Sequence, residues 1–127
     1  NVALNQPAYQ QYPVIPVEDT YDASNAVDGR KSDLSWDGGQ CDWYRTYTAD
    51  KLLGFSVYIS NTTDRSQVML CFNDYNFTKY TIPPVFTTNC YVHGQYVIYY
   101  NERLQGVVYP DSYYIFVRSD LCEVEVY

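Results

Sequence analysis

The chain has 127 residues, room for one domain, and a formal net charge of −7 from fifteen Asp and Glu against eight Lys and Arg. So acidic a chain, with its cations scattered, would be repelled by a phosphate backbone or an anionic lipid surface, which argues against nucleic acid and membrane surfaces as partners. No apolar run approaches the ~20 residues of a membrane-spanning helix, and an opening on Asn1 with no signal peptide predicts a mature product or a domain excised from a longer protein.

In chain order, the first forty residues read mostly as loop. The stretch 23–41, ASNAVDGRKSDLSWDGGQC, sets Asn25, Asp28, Asp33 and Asp37 among glycines and ends on Cys41, with neither helical nor strand period. A loop of this length is unusual unless it is functional or tied down. Strand signals begin at LLGFSVYIS (52–60), where Leu53, Phe55, Val57 and Ile59 fall on one face. A polar turn at 61–66 leads to the apolar run QVMLCF (67–72), and Pro83-Pro84 excludes a strand there. In QYVIYYN (95–101), Tyr96, Ile98 and Tyr100 alternate with Gln95, Val97 and Tyr99. Strands are also expected at GVVY (106–109) and YYIFV (113–117), separated by a Tyr-Pro-Asp-Ser turn. The closing LCEVEVY (121–127) puts Cys122, Val124 and Val126 on one face and Glu123 and Glu125 on the other. Helical periodicity is nearly absent. The pattern predicts one all-β domain over 1–127, an antiparallel β-sandwich or small barrel.

The four cysteines, Cys41, Cys71, Cys90 and Cys122, contain no CxxC pair, and His93 is the single histidine. Zinc ligands come at tighter spacing, so two disulfides are the expected use. Four cysteines allow three pairings, and spacing alone does not choose among them. A Cys41–Cys122 bridge would fasten the N-terminal loop to the last strand, and Cys71–Cys90 would close a short loop. Such bridges contribute about 4.5 and about 3 kcal/mol in the chain-entropy account. Sequons at Asn61-Thr62-Thr63 and Asn76-Phe77-Thr78 add predicted N-glycosylation sites. Acidity, paired cysteines and sequons together predict a secreted or extracellular protein. His93 reads as a surface turn residue.

Sixteen tyrosines are far above ordinary usage. Strand propensity accounts for aromatic residues on a pleated, half-buried surface; a sticky or cross-linkable tyrosine surface is the sharper alternative. No Gly-x-Ser-x-Gly elbow, Ser–His or Cys–His context or Gly-rich phosphate loop is present, so no enzyme is expected.

The opening NVALNQPA, ASNAVDGR at 23–30, Cys41 and the closing LCEVEVY resemble the F-type lectins (fucolectins), a branch of the discoidin-like β-sandwiches. The internal Cys71 and Cys90 resemble F-type-like domains of molluscan extracellular proteins that carry EGF-like repeats. The resemblance implies a jelly-roll sandwich and makes the acidic loop a calcium site. Asp28 and Glu123 would supply carboxylates, Asn25, Arg30 and Cys122 backbone carbonyls, and Gln40 the ligand before the first cysteine. Calcium takes about six to eight such oxygens in flexible geometry.

The family's sugar site departs here. No His follows Cys41, and Arg45-Thr46-Tyr47 has tyrosine where the family has Asp. Arg45 and Lys51 are then the remaining carbohydrate-binding candidates. A core strand that the family carries between the first cysteine and this Arg is missing from CDWYRTYTADK, so abnormal geometry or a break is expected between Cys41 and Ala49. Two functions follow. One is a calcium-stabilised module related to fucose-binding lectins, with a degenerate or lost sugar site, whose partners would be glycans, fucosylated ones among them. The other is a structural matrix, fibre or adhesive subunit that self-assembles through tyrosine-rich surfaces.

Overall fold

The middle of the chain forms an antiparallel sheet because its β-branched and aromatic runs alternate over stretches about five residues long. The computed structural model describes residues 1–9, 26, 27, 29, 45–62, 67–83, 85–117, 121 and 124–127, with only the backbone for 45–48. A short helix α1 (Arg45–Leu52) precedes strands β1 (Ser56–Ser60), β2 (Met69–Asn73) and β3 (Tyr96–Tyr100). The sheet order is β2-β1-β3, with both pairings antiparallel. The chain clusters into two compact units. One is Thr46–Ser119; the other joins both ends, Asn1–Arg45 with Asp120–Tyr127.

Directly opposed residues of an antiparallel pair share a face. Val57 opposes Phe72 on β2 and Tyr99 on β3, so those side chains lie together. Phe55, two residues before Val57, joins them: its ring centroid is 5.4 Å from Phe72, 5.4 Å from Phe86 and 5.5 Å from Tyr99. Phe77 and Phe86 fold back over the sheet, Phe86 lying 4.4 Å from Phe72. This aromatic cluster, with Leu53 and Ile59 buried near it in the chain, is the core of the 46–119 unit.

The β1–β2 register slips by one residue. Val57 faces Phe72 while Tyr58 faces Leu70, so Cys71 has no cross-strand partner. The extra residue of such a bulge is re-aimed out of the ladder, and here Cys71 is bonded to Cys90 with Cα atoms 5.3 Å apart. The Cys71–Cys90 pairing is therefore present. The bridge ties β2 to the chain leading into β3. There Gln95 N–H donates to the Ser60 carbonyl at 2.9 Å. A Cβ on Gly94 would meet Ile59 Cγ2 and lie 2.9 Å from the Ser60 carbonyl oxygen, so only glycine fits against β1.

Several expectations are corrected. The predicted strand 52–60 is shortened to Ser56–Ser60, because Leu52 closes α1. The helix stops where Gly54 takes φ +82°, a left-handed cap that glycine adopts without strain. Of the stretch between Cys41 and Ala49, where abnormal geometry or a break is expected from the sequence, 45–49 are continuous helix and 41–44 lie outside the described residues. Ala49 and Leu53, one turn apart, are both fully buried and hold the helix down. The runs 106–109 and 113–117 make no ladder, and neither do the described residues of 121–127. No described helix is long and apolar enough to cross a membrane.

Candidate functional site

The most connected polar group lies where α1 hands over to β1. Asp74, buried at the end of β2, accepts backbone N–H groups from Gly54 at 2.8 Å, Asn76 at 3.0 Å and Phe77 at 2.8 Å. Its own N–H donates to the Phe55 carbonyl at 2.9 Å. Asn101, just after β3, donates from Nδ2 to the carbonyls of Leu52 and Leu53 at 2.9 and 3.2 Å. It thereby satisfies acceptors left open at the helix end. Asn101 Oδ1 in turn accepts from Arg103 Nη1 at 3.1 Å.

Arg103 sits against two tyrosine rings, its guanidinium carbon 5.2 Å from the Tyr109 centroid and 4.8 Å from that of Tyr113. The two rings stack at 6.1 Å. Arg103 Nε donates to the Tyr114 carbonyl at 2.9 Å, and the Tyr114 N–H donates to the Asp50 carbonyl at 3.1 Å. The Lys51 ammonium stands 4.9 Å over the Tyr114 ring, in the last turn of α1 where a cation complements the helix dipole. Lys51 thus lies over the Tyr114 ring, while Arg103 and Asp50 hold the backbone of that residue. Asp50 Oδ1 and Arg103 Nη2 are buried with no hydrogen-bond partner. Buried polar atoms are rarely left unpaired, and these two would need their side chains to shift before a ligand could reach them. A cation over an aromatic face suits a ligand carrying both hydroxyls and an apolar face.

Burial pushes the Tyr113 phenol above its ordinary value of 10.0, the Asp74 charge adding to the shift and Arg103 opposing it. The folded state then holds this proton more tightly than the unfolded chain does. The stability it contributes is complete below pH 10 and is lost as pH rises through the higher folded value. Denaturant midpoints measured above pH 10 should fall with pH, and less steeply in Tyr113→Phe; equal slopes would sink the assignment.

Of the residues expected to bind sugar, Lys51 is in this cluster, and the Arg45 side chain lies outside the described residues. Asp50, Arg103 and Tyr114 were not singled out from sequence. Only the neighbouring Asp50-Lys51 pair is a local signal, since Arg103 and Tyr114 lie more than fifty residues on. His93 is exposed. Asn61 and Asn76, the sequon asparagines, are also exposed. Thr78 Oγ1 accepts the Tyr80 N–H at 3.2 Å and lies 3.2 Å from Thr81 Oγ1.

The calcium candidates Asn25, Asp28, Arg30, Gln40, Cys122 and Glu123 lie outside the described residues, as does the Cys41–Cys122 pairing. Their immediate neighbours are described. Val124 N–H donates to the Ala26 carbonyl at 2.6 Å, Asn5 N–H to the Val27 carbonyl at 2.7 Å and Val2 N–H to the Val126 carbonyl at 2.7 Å. Asn1 Oδ1 accepts from the Ala3 and Val126 N–H groups at 3.0 and 3.1 Å. Val27 is buried, and Gly29 turns with φ +82° against Leu4. The chain flanking Asn25 and Asp28 is therefore hydrogen-bonded to the chain flanking Glu123. Among the described residues, no three His, Cys, Asp or Glu side chains gather to hold a metal.

Comparison with known family models, curated proteins and solved structures finds no match to this chain.

Proposed function

We propose that this protein is a secreted, calcium-stabilised carbohydrate-binding module with a β-sandwich fold, related to fucose-binding lectins and carrying a reduced sugar site; it binds and does not catalyse. The observation that carries the reading is the hydrogen bond from Val124 to Ala26, which brings the acidic loop's flank and the Glu123 flank into one unit. Carboxylates from Asp28 and Glu123, carbonyls from Asn25, Arg30 and Cys122, and Gln40 form an all-oxygen donor set, which suits a hard cation. Bound calcium would neutralise these carboxylates and lock the loop to the C-terminal tail. At the other unit, Lys51, Arg103, Asp50 and Tyr114 are the residues we assign to the glycan. Cys71–Cys90, an oxidised pair, supports the extracellular placement, since disulfides persist in oxidising compartments.

The test is thermal unfolding with calcium and with chelator, followed by a glycan array in calcium. A ligand at a hundredfold excess over its Kd stabilises the folded state by about 2.7 kcal/mol. Calcium should raise the midpoint accordingly and do nothing for Asp28→Asn or Glu123→Gln. Lys51→Gln should lose glycan binding while keeping the calcium response. A midpoint indifferent to calcium overturns the metal site, and an array with no bound glycan overturns the sugar site.

A second reading is favoured by one observation. The β-prone runs that form no ladder leave Val108, at 95 %, and Ile115, at 79 %, open to solvent. Exposed apolar residues on unpaired chain mark contact surfaces, so a self-assembling extracellular subunit is the alternative role.

A further inference from the structure

Among the described residues, ten tyrosine side chains fall into two populations, and Tyr58 on β1 and Tyr96 on β3 belong to neither. In the first, the ring is covered or charge-capped. Tyr99 stacks on Phe55, Tyr100 bonds Glu102, and Tyr109 and Tyr113 pack against Arg103. Tyr114 and Tyr80 carry lysine ammonium groups over their rings. In the second, Tyr9, Tyr75, Tyr91 and Tyr127 are 85 %, 76 %, 91 % and 89 % exposed. Among the described residues, no ring stacks on these four and no cation caps them. Burying an aromatic ring is favourable, and these four rings forgo that gain.

We propose that Tyr9, Tyr75, Tyr91 and Tyr127 are sites of oxidative phenol coupling between copies of this chain, with hydrogen peroxide and a haem peroxidase as the oxidant. The peroxide takes one hydrogen atom from each of two phenols and is reduced to two waters. The two phenoxyl radicals join at ring carbons ortho to oxygen, forming one carbon–carbon bond. Each coupled carbon then gives up its hydrogen as a proton and each oxygen regains one, restoring two phenols in a biaryl. The ortho carbons must come into contact, and rings as exposed as these can be reached by a ring of another copy. The stacked intrachain pair, Tyr109 and Tyr113, is disfavoured because a guanidinium on the ring opposes electron loss. The same argument sets Tyr114 and Tyr80 aside. The Cys71–Cys90 bridge anchors the chain next to Tyr91, which holds that ring on a fixed scaffold.

The inference deepens the self-assembly reading and rests on it only in requiring that copies meet. The test uses the full chain, as an equal mixture of unlabelled and isotope-labelled protein. Sedimentation is measured first; peroxidase and hydrogen peroxide are then added and the peptides mapped. Mixed-isotope biaryl links at the four positions are expected. They should be lost in the combined Tyr9→Phe, Tyr75→Phe, Tyr91→Phe, Tyr127→Phe variant, which should keep the wild-type unfolding midpoint because the rings are exposed. Links that persist in the variant, join rings within one chain or fall on the covered tyrosines overturn the proposal. Reversible association without these links overturns the coupling and leaves the self-assembly reading standing. Links formed with no association beforehand support the coupling and count against that reading.

Discussion

Phe55→Ala should lower folding stability by about 3–5 kcal/mol, the usual range for removing a buried phenylalanine. Phe55 is 6 % exposed and touches three rings, Phe72, Phe86 and Tyr99. Removing it takes away the transfer energy of its own ring and leaves a hole that the neighbours fill only partly. Those neighbours come from β2, from β3 and from the segment carrying Phe86, so the loss is shared across the whole sheet. Domains are stable by only about 5–15 kcal/mol, and the variant should sit close to unfolding at ordinary temperature. Phe55→Leu keeps most of the volume and should lose less. Denaturant midpoints of the three proteins make the comparison. A loss below about 1 kcal/mol for alanine would mean the cluster is not the core.

Asp74→Ala is the second large effect, expected at about 3–5 kcal/mol, from stranding the N–H groups of Gly54, Asn76 and Phe77 at roughly 1–3 kcal/mol each with partial recovery by water. The isosteric Asp74→Asn separates charge from geometry. Its one carbonyl oxygen can still accept from Asn76 and Phe77, but its amide would point a donor at the Gly54 N–H. A loss of about 1–3 kcal/mol is expected for this variant, concentrated at the α1–β1 junction. Hydrogen exchange at Gly54 should speed up in both variants, while exchange at Asn76 and Phe77 should speed up only in Asp74→Ala. Equal exchange at all three amides in Asp74→Asn would contradict the assigned bonding.

The three strands were legible as runs at 52–60, 67–72 and 95–101 because alternation and β-branched content are local properties. Their ends were less so. Leu52 and Leu53 look like the start of a strand, yet Leu52 ends a helix and Leu53 lies in the turn after it, capped by Asn101 and by the left-handed Gly54. That helix was missed because Thr46, Tyr47 and Thr48 are poor helix formers, and what stabilises it is supplied from residues 74 and 101. The runs at 106–109 and 113–117 have the same local pattern as the strands that formed. A strand also needs a partner edge to take its N–H and C=O groups, and alternation carries no information about which edge is free. The candidate site divides in the same way. Lys51 was visible as a cation at a family-like position. Arg103 and Tyr114 come from the far side of β3 and meet it only because Arg103 Nε and Asp50 O each bond one end of the Tyr114 peptide.

By itself the sequence determined the acidity, the β-rich character and the residue types able to hold calcium or donate to a sugar. Each of these is a property of one residue or a few adjacent ones. The tertiary structure decided the β2-β1-β3 order, the bulge that turns Cys71 toward Cys90, the burial of Asp74 and which tyrosines face water. These depend on which distant segments share a face, and that is settled by packing and hydrogen-bond satisfaction across the whole unit.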